Sequence, residues 1–320
     1  MLFNTFQHSI SIDFFTLFSF TLMTTTITLP TSIKSNTLAV KSIDELEKIS
    51  SQVRRDIVRM VHGCQSGHPG GSLGCTDYLV ALYFHFLKYD SANFKMDGKN
   101  EDLFFLSNGH ISPVWYSVLA HAGYFPTKEL ATFRKLNTRL QGHPTTHEGL
   151  PGIRIASGSL GQGLSVACGA AIAKKLNNDP QLVFSLHGDG EIQEGQIWEA
   201  AMFASARKID NLISTIDYNG QQIDGPTDKV LPMGDLKAKW LAFGWDVLEM
   251  NGNNLAEVVT VIEEAKKHTG KGKPVMILMK TSMGYGVDFM LGTHKWHGIA
   301  PNDEQLQKAL AQLPETLGDY

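Results

Sequence analysis

A chain of 320 residues, 42% hydrophobic and 19% charged, has the balance of a soluble globular protein and enough length to bury a full-sized core. Its net charge of −4 excludes a basic footprint for nucleic acid and a polybasic face for a membrane surface. The three cysteines, Cys64, Cys75 and Cys168, show neither zinc-ribbon nor Cys-x-x-Cys spacing and read as reduced core thiols of a cytoplasmic protein.

Residues 14–23 form a mostly apolar run that is too short to cross a bilayer. No Lys or Arg precedes Lys34 and no small-residue cleavage site follows, so the run lacks the marks of a secretory signal. The expectation is that residues 1–40 are a leader or disordered segment with Met23 as the biological start, and that residues 41–320 form the folded domain.

Over residues 42–62, Leu46, Ile49, Val53, Ile57, Val58 and Val61 recur at helical spacing, and Ser42 with Glu45 makes a capping box. The Gly-rich loop that follows places His68 at the C-terminal edge of this helix. A second helix is predicted over 75–88, a short strand over 103–106, and a helix over 114–122. Between the last two lies the turn Ser107-Asn108-Gly109-His110. Residues 141–152, rich in Pro and Gly, are a loop carrying His143. Ser157-Gly158-Ser159-Leu160-Gly161-Gln162-Gly163 then opens a helix over 164–176. Glycines there let a ligand approach free N–H groups, and close helix–sheet packing explains the same small residues equally well.

Next comes a βαβ unit: a strand over 182–186, the turn His187-Gly188-Asp189-Gly190-Glu191, a helix over 197–208, and a strand over 212–216 running into Asp217-Tyr218-Asn219-Gly220. A helix over 236–243, a strand over 245–250, a helix over 255–268, a strand over 274–279 and a final helix over 303–313 complete the chain. Strands alternating with helices predict one doubly wound α/β domain, its sheet largely parallel with helices on both faces. In such a sheet the ends of neighbouring strands converge where ligands bind. Asp189 and Asn219 are then hard oxygen ligands aimed at one point, beside glycines that admit an anion. Oxygen ligands next to a phosphate-accepting turn suit Mg²⁺ or Ca²⁺ bridging to a diphosphate.

His68, His110, His143 and His297, among twelve histidines, stand in Gly/Pro-rich turns. Histidine titrates near neutral pH and can donate to phosphate or shuttle protons. No two of the four share i,i+4 spacing, which sets zinc ligation aside.

Ser66-Gly67-His68-Pro69-Gly70, Ser107-Asn108-Gly109-His110, Gln141-Gly142-His143-Pro144, Gly158-Ser159-Leu160-Gly161-Gln162-Gly163, the Gly188–Asn219 unit and Lys295-Trp296-His297-Gly298 occur in the order seen in transketolase. The chain resembles that family over residues 45–300. The resemblance implies a thiamine-diphosphate-binding fold in which Asp189, Asn219 and the backbone carbonyl of Gln221 bind Mg²⁺, with Ca²⁺ or Mn²⁺ as substitutes. It assigns Gly190, His110, Asn219 and His297 to the diphosphate, and Gly158 and Leu160 to the thiazolium side. Glu194 would join a carboxylate network across a subunit interface, and His68, His143 and His297 would face the sugar and handle protons.

The implied reaction moves a two-carbon ketol unit from a ketose phosphate to an aldose phosphate, as in pentose phosphate metabolism. A full transketolase is about twice as long, and its second domain carries the glutamate that activates the aminopyrimidine ring. The resemblance therefore implies one subunit of a split transketolase, needing a separate C-terminal subunit with the pyrimidine-binding domain in a two-plus-two assembly. An unusual sulfonated or branched ketose, and a non-catalytic scaffold of the same fold, are the alternative readings.

Overall fold

Ser42 caps the first helix as its sequence predicts. Its Oγ accepts the Glu45 N–H at 3.3 Å, while the Glu45 carboxylate accepts the Ser42 N–H at 2.9 Å. The computed structural model describes residues 40–320, so the leader and Met23 readings lie outside the described residues. From the cap, α1 runs Ile43–Cys64 and buries Leu46, Ile49, Val53, Ile57, Val58 and Val61, the stripe its spacing marks.

The second predicted helix differs. It starts earlier, as α2 (Pro69–Gly74), breaks at Cys75, resumes as α3 (Thr76–Ala81) and ends in a π turn over Leu82–Phe86. Proline pre-sets φ for a first helical position and has no N–H to leave unpaired there, so Pro69 begins the helix. His68 is consequently the N-cap residue of α2 rather than part of a loop at the end of α1. Gly70 and Gly71 make α2 thin on one side: a Cβ on Gly70 would lie 2.5 Å from Met283 Cγ.

The remaining elements alternate. They are β1 (Leu103–Leu106), α4 (Ser112–His121), α5 (Gln162–Leu176), β2 (Val183–Gly188), α6 (Gly195–Ala206), β3 (Leu212–Tyr218), the short ribbon β4 (Gln221–Gln222) and β5 (Gly225–Pro226), and α7 (Thr227–Val230). Then follow α8 (Leu236–Ala242), β6 (Asp246–Asn251), α9 (Leu255–His268), β7 (Val275–Lys280) and α10 (Asp303–Gln312). Five strands form one sheet in the order β1-β2-β3-β7-β6, every neighbouring pair parallel. Helices α5 and α6 pack together, with α5 on β1, β2 and β3; α9 lies on β6 and β7 and meets α3 and α1. Strands covered on both faces must be apolar throughout, which is why β1 and most of β7 are unbroken buried runs.

The strand β2 runs two residues past its apolar stretch, so His187 belongs to the strand and not to the turn. Its Nε2 lies 2.9 Å from Ser185 Oγ, which in turn lies 2.8 Å from Ser214 Oγ on β3. That chain of polar groups lets a buried imidazole sit in a parallel sheet. No described helix is long and apolar enough to cross a membrane.

Candidate active site

The carboxyl ends of β1, β2, β3 and β7 meet at one cavity of about 310 Å³. Asp189, directly after β2, is almost fully buried. Its Oδ1 accepts the Gly190 N–H at 2.8 Å and its Oδ2 the Gly220 N–H at 2.6 Å, while its own N–H donates to Asp217 O at 3.2 Å. The turns after β2 and β3 are thus laced together through one carboxylate. Burial, with the Asp217 carboxylate beside it, pushes Asp189 up to about 8.

Asp217, the last buried residue of β3, received no role from the sequence. Burial pushes its pKa up, and donors from Thr281, Cys75 and Asn219 pull the other way. Asn219 Nδ2 donates to Asp217 Oδ2 at 2.8 Å, which turns the amide oxygen outward, where it accepts the Gln221 N–H at 2.8 Å. A carboxylate that accepts the amide's N–H bonds defines which end of Asn219 faces the cavity.

Glu191 is the second residue whose part was not legible. It is 2% exposed. One carboxylate oxygen accepts Ser107 Oγ–H and the Gly161 N–H at 2.9 Å, and the other accepts the Gly188 N–H at 3.0 Å. Ser107 Oγ also accepts the Gly163 N–H at 3.0 Å. Burial would raise Glu191, but His187 nearby and these donors together hold it below the ordinary carboxylate range. One side chain therefore ties the loop after β1, the glycine-rich turn before α5 and the end of β2.

Four histidines form the opposite wall. Ring centroids lie 5.1 Å apart for His68 and His110, 5.4 Å for His68 and His297, 5.0 Å for His110 and His297, and 6.3 Å for His68 and His143. Burial, with charge on His297, Arg134 and His143, pushes His68 down to about 4. Burial first, then the neighbouring imidazoles, also lowers His110, and burial lowers His143 and His297. Four neutral imidazoles facing one cavity form a donor-rich surface whose protonation an anionic ligand would restore.

Gly158 has φ +120°, and a Cβ there would lie 2.6 Å from the His143 ring, so only glycine lets this turn reach the cavity. Leu160 extends from the same turn as an exposed apolar side chain on the cavity rim. Gly190 and Gln221 line the cavity between Asp189 and the ribbon β4–β5. Glu194 stands apart: it is the exposed N-cap residue of α6, outside the cavity lining. Of the residues assigned from sequence, the structure brings together all except Glu194. Asn108 joins them unassigned, its buried Oδ1 without a partner.

These residues fit a metal-bound diphosphate. Among the described residues no three His, Cys, Asp or Glu side chains converge to hold a metal, so a cation at Asp189 needs oxygens from Asn219, a backbone carbonyl and phosphate. The raised Asp189 carboxyl and the partnerless oxygens Gln221 Oε1 and Asn108 Oδ1 are groups that a cation would satisfy, while the partnerless His68 Nδ1 can donate to a phosphate oxygen.

Fold and site together define an α/β protein with a cavity at the carboxyl ends of its parallel strands, lined by a buried carboxylate, amides and imidazoles. Residues 46–315 match the family described as transketolase, thiamine diphosphate binding domain. The chain belongs to the transketolase family and is the thiamine diphosphate-binding subunit of a split transketolase, a transferase of ketol groups. It is 40% identical over 269 residues to a 6-deoxy-6-sulfo-D-fructose transketolase subunit from Clostridium sp. (strain MSTE9), covering 84% of this chain and 96% of that one. It is 36% identical over 275 residues to one of the subunits of the apulose-4-phosphate transketolase from Phocaeicola vulgatus, covering 86% and 96%. A solved transketolase from Campylobacter jejuni superposes with a TM-score of 0.78 at 34% identity, covering 85% of this chain but only 43% of the other.

Proposed function

We propose that this subunit holds thiamine diphosphate through Mg²⁺ and, with a separate pyrimidine-domain subunit, moves a two-carbon ketol unit between sugars. The observation that carries the reading is the convergence of Asp189, Asn219 and the four histidines on one cavity. Asp189, Asn219 and the Gln221 carbonyl would hold the metal. Gly190, His110, Asn219 and His297 would hold the diphosphate, and Gly158 and Leu160 would flank the thiazolium. Bound there, the cofactor supplies the nucleophilic carbon and the electron sink that carbon–carbon cleavage needs. The chain's own work is positioning and proton movement. His68, His143 and His297, held neutral by burial, can accept a hydroxyl proton and return it to the product. Glu194, whose side chain is exposed beside Gly161, would contact a second subunit.

The donor is a ketose with an anionic terminus. A ketose phosphate such as xylulose 5-phosphate is the first reading. A sulfonated or branched ketose is the second, favoured by the substrates in the names of the two relatives above. Purifying the tagged chain from its native host and assaying ketol transfer tests both. A partner of similar size, with cofactor-dependent activity on xylulose 5-phosphate and ribose 5-phosphate, supports the first. A complex active only on a sulfonated or branched ketose supports the second. Robust turnover by the single chain refutes the need for a partner.

A further inference from the structure

Arg134 adopts φ +57°, a left-handed backbone that an unbranched cationic side chain gains nothing from locally. Three of the other five described non-glycine residues with positive φ are asparagines, the side chain best suited to that region. Here the backbone closes a loop, with the Arg134 N–H donating to Leu140 O at 2.9 Å, and the side chain turns back toward the cavity. Nη1 donates to Ser66 Oγ at 2.8 Å and Nη2 reaches Gly142 O at 3.5 Å. Ser66 precedes His68 by two residues, and Gly142 immediately precedes His143. A Cβ on Gly142 would lie 2.7 Å from the Arg134 Cζ, so the glycine makes room for the guanidinium.

We propose that Arg134 is a positioning residue for the two histidines: its planar guanidinium holds the His68 and His143 loops at a fixed separation and presents its charge to both rings. The other titratable groups facing His68 are His110, His143 and His297, none with a permanent charge. His143 is faced by His68 and Arg134. Arg134 is thus the fixed cation of this wall, and after burial its charge helps keep His68 and His143 below the ordinary histidine value. Arginine suits the task because its fork reaches two loops at once and never loses its charge.

This inference rests on the proposed role of His68 and His143 in proton transfer, but its test does not require the reaction. In the full chain with isotope-labelled imidazoles, ring titrations are followed by NMR in wild type, Arg134→Gln and Arg134→Lys. Arg134→Gln should raise the apparent pKa of His143, and of His68 where it is reached, by about half a unit or more, while Arg134→Lys raises them less. His297, lowered by burial and then by His294 with no part from Arg134, His68 or His143, is the internal control. If Arg134→Gln does not fold, Gly142→Ala, which displaces the guanidinium, should move the same two rings in the same direction. Unchanged titrations in a folded Arg134→Gln or Gly142→Ala chain overturn the proposal. In the active complex, Arg134→Gln should also shift the acid limb of kcat/KM upward. Shifted titrations with an unmoved acid limb would uphold the hold on the rings and count against their part in proton transfer.

Discussion

Replacing Glu191 by glutamine tests whether one buried carboxylate organises the cavity. The carboxylate accepts three donors: Ser107 Oγ–H and the N–H groups of Gly161 and Gly188. A glutamine oxygen can serve Ser107 and Gly161, but the amide nitrogen then meets the Gly188 N–H donor to donor. One charge-assisted bond is lost and two become neutral, a loss of about 3 kcal/mol, against roughly 1 kcal/mol recovered because no charge is desolvated. The net destabilisation of about 2 kcal/mol corresponds to a fall in Tm of roughly 4–8 °C for a domain of this size. Calorimetry of the purified chain measures it, and titration of thiamine diphosphate with Mg²⁺ by tryptophan fluorescence should show weaker binding. A variant melting within about 1 °C of wild type and binding equally well would refute the assignment.

Ligand linkage tests the proposed metal site. Thiamine diphosphate with Mg²⁺ should stabilise the wild-type chain by about 2.7 kcal/mol at a hundredfold excess over Kd, and Asp189→Ala should show no such gain in a thermal shift assay. Gly158→Ala combines a left-handed backbone with a Cβ 2.6 Å from the His143 ring, and should cost on the order of 2–4 kcal/mol in denaturant unfolding. A cost below about 0.5 kcal/mol would mean that the turn simply relaxes. The histidine wall predicts a pH dependence of stability. His68 is lowered to about 4 in the folded chain, so the unfolded chain binds the proton first and stability falls as pH drops from the ordinary histidine value toward 4. Bound cofactor should flatten this slope by favouring the protonated rings, and a ligand-independent slope would contradict that.

Local chemistry made much of this protein readable from its residues. The capping box at Ser42 and Glu45, the apolar stripe of α1, the strand Leu103–Leu106 and the helix Leu255–His268 follow from spacing and propensity. Asp189 and Asn219 were legible because a βαβ unit carries its strand ends to one edge whatever surrounds it. His68 was placed wrongly within its loop because Pro69 opens a helix whose thin Gly70-Gly71 face packs closely on Met283, Trp296 and Ile111, contacts that sequence alone does not show. Glu191, Asp217 and Arg134 remained silent for a related reason. In sequence each is an ordinary charged residue near a turn. Their partners, Ser107 and Gly161 for Glu191, Thr281 for Asp217, Ser66 and Gly142 for Arg134, lie 30 to 84 positions away, apart from Gly142. Sequence by itself determined most of the elements, the order of the strand-end motifs and the family. Tertiary structure alone decided which charges are buried and what each holds, because burial and long-range hydrogen bonding arise only once the chain has closed on itself.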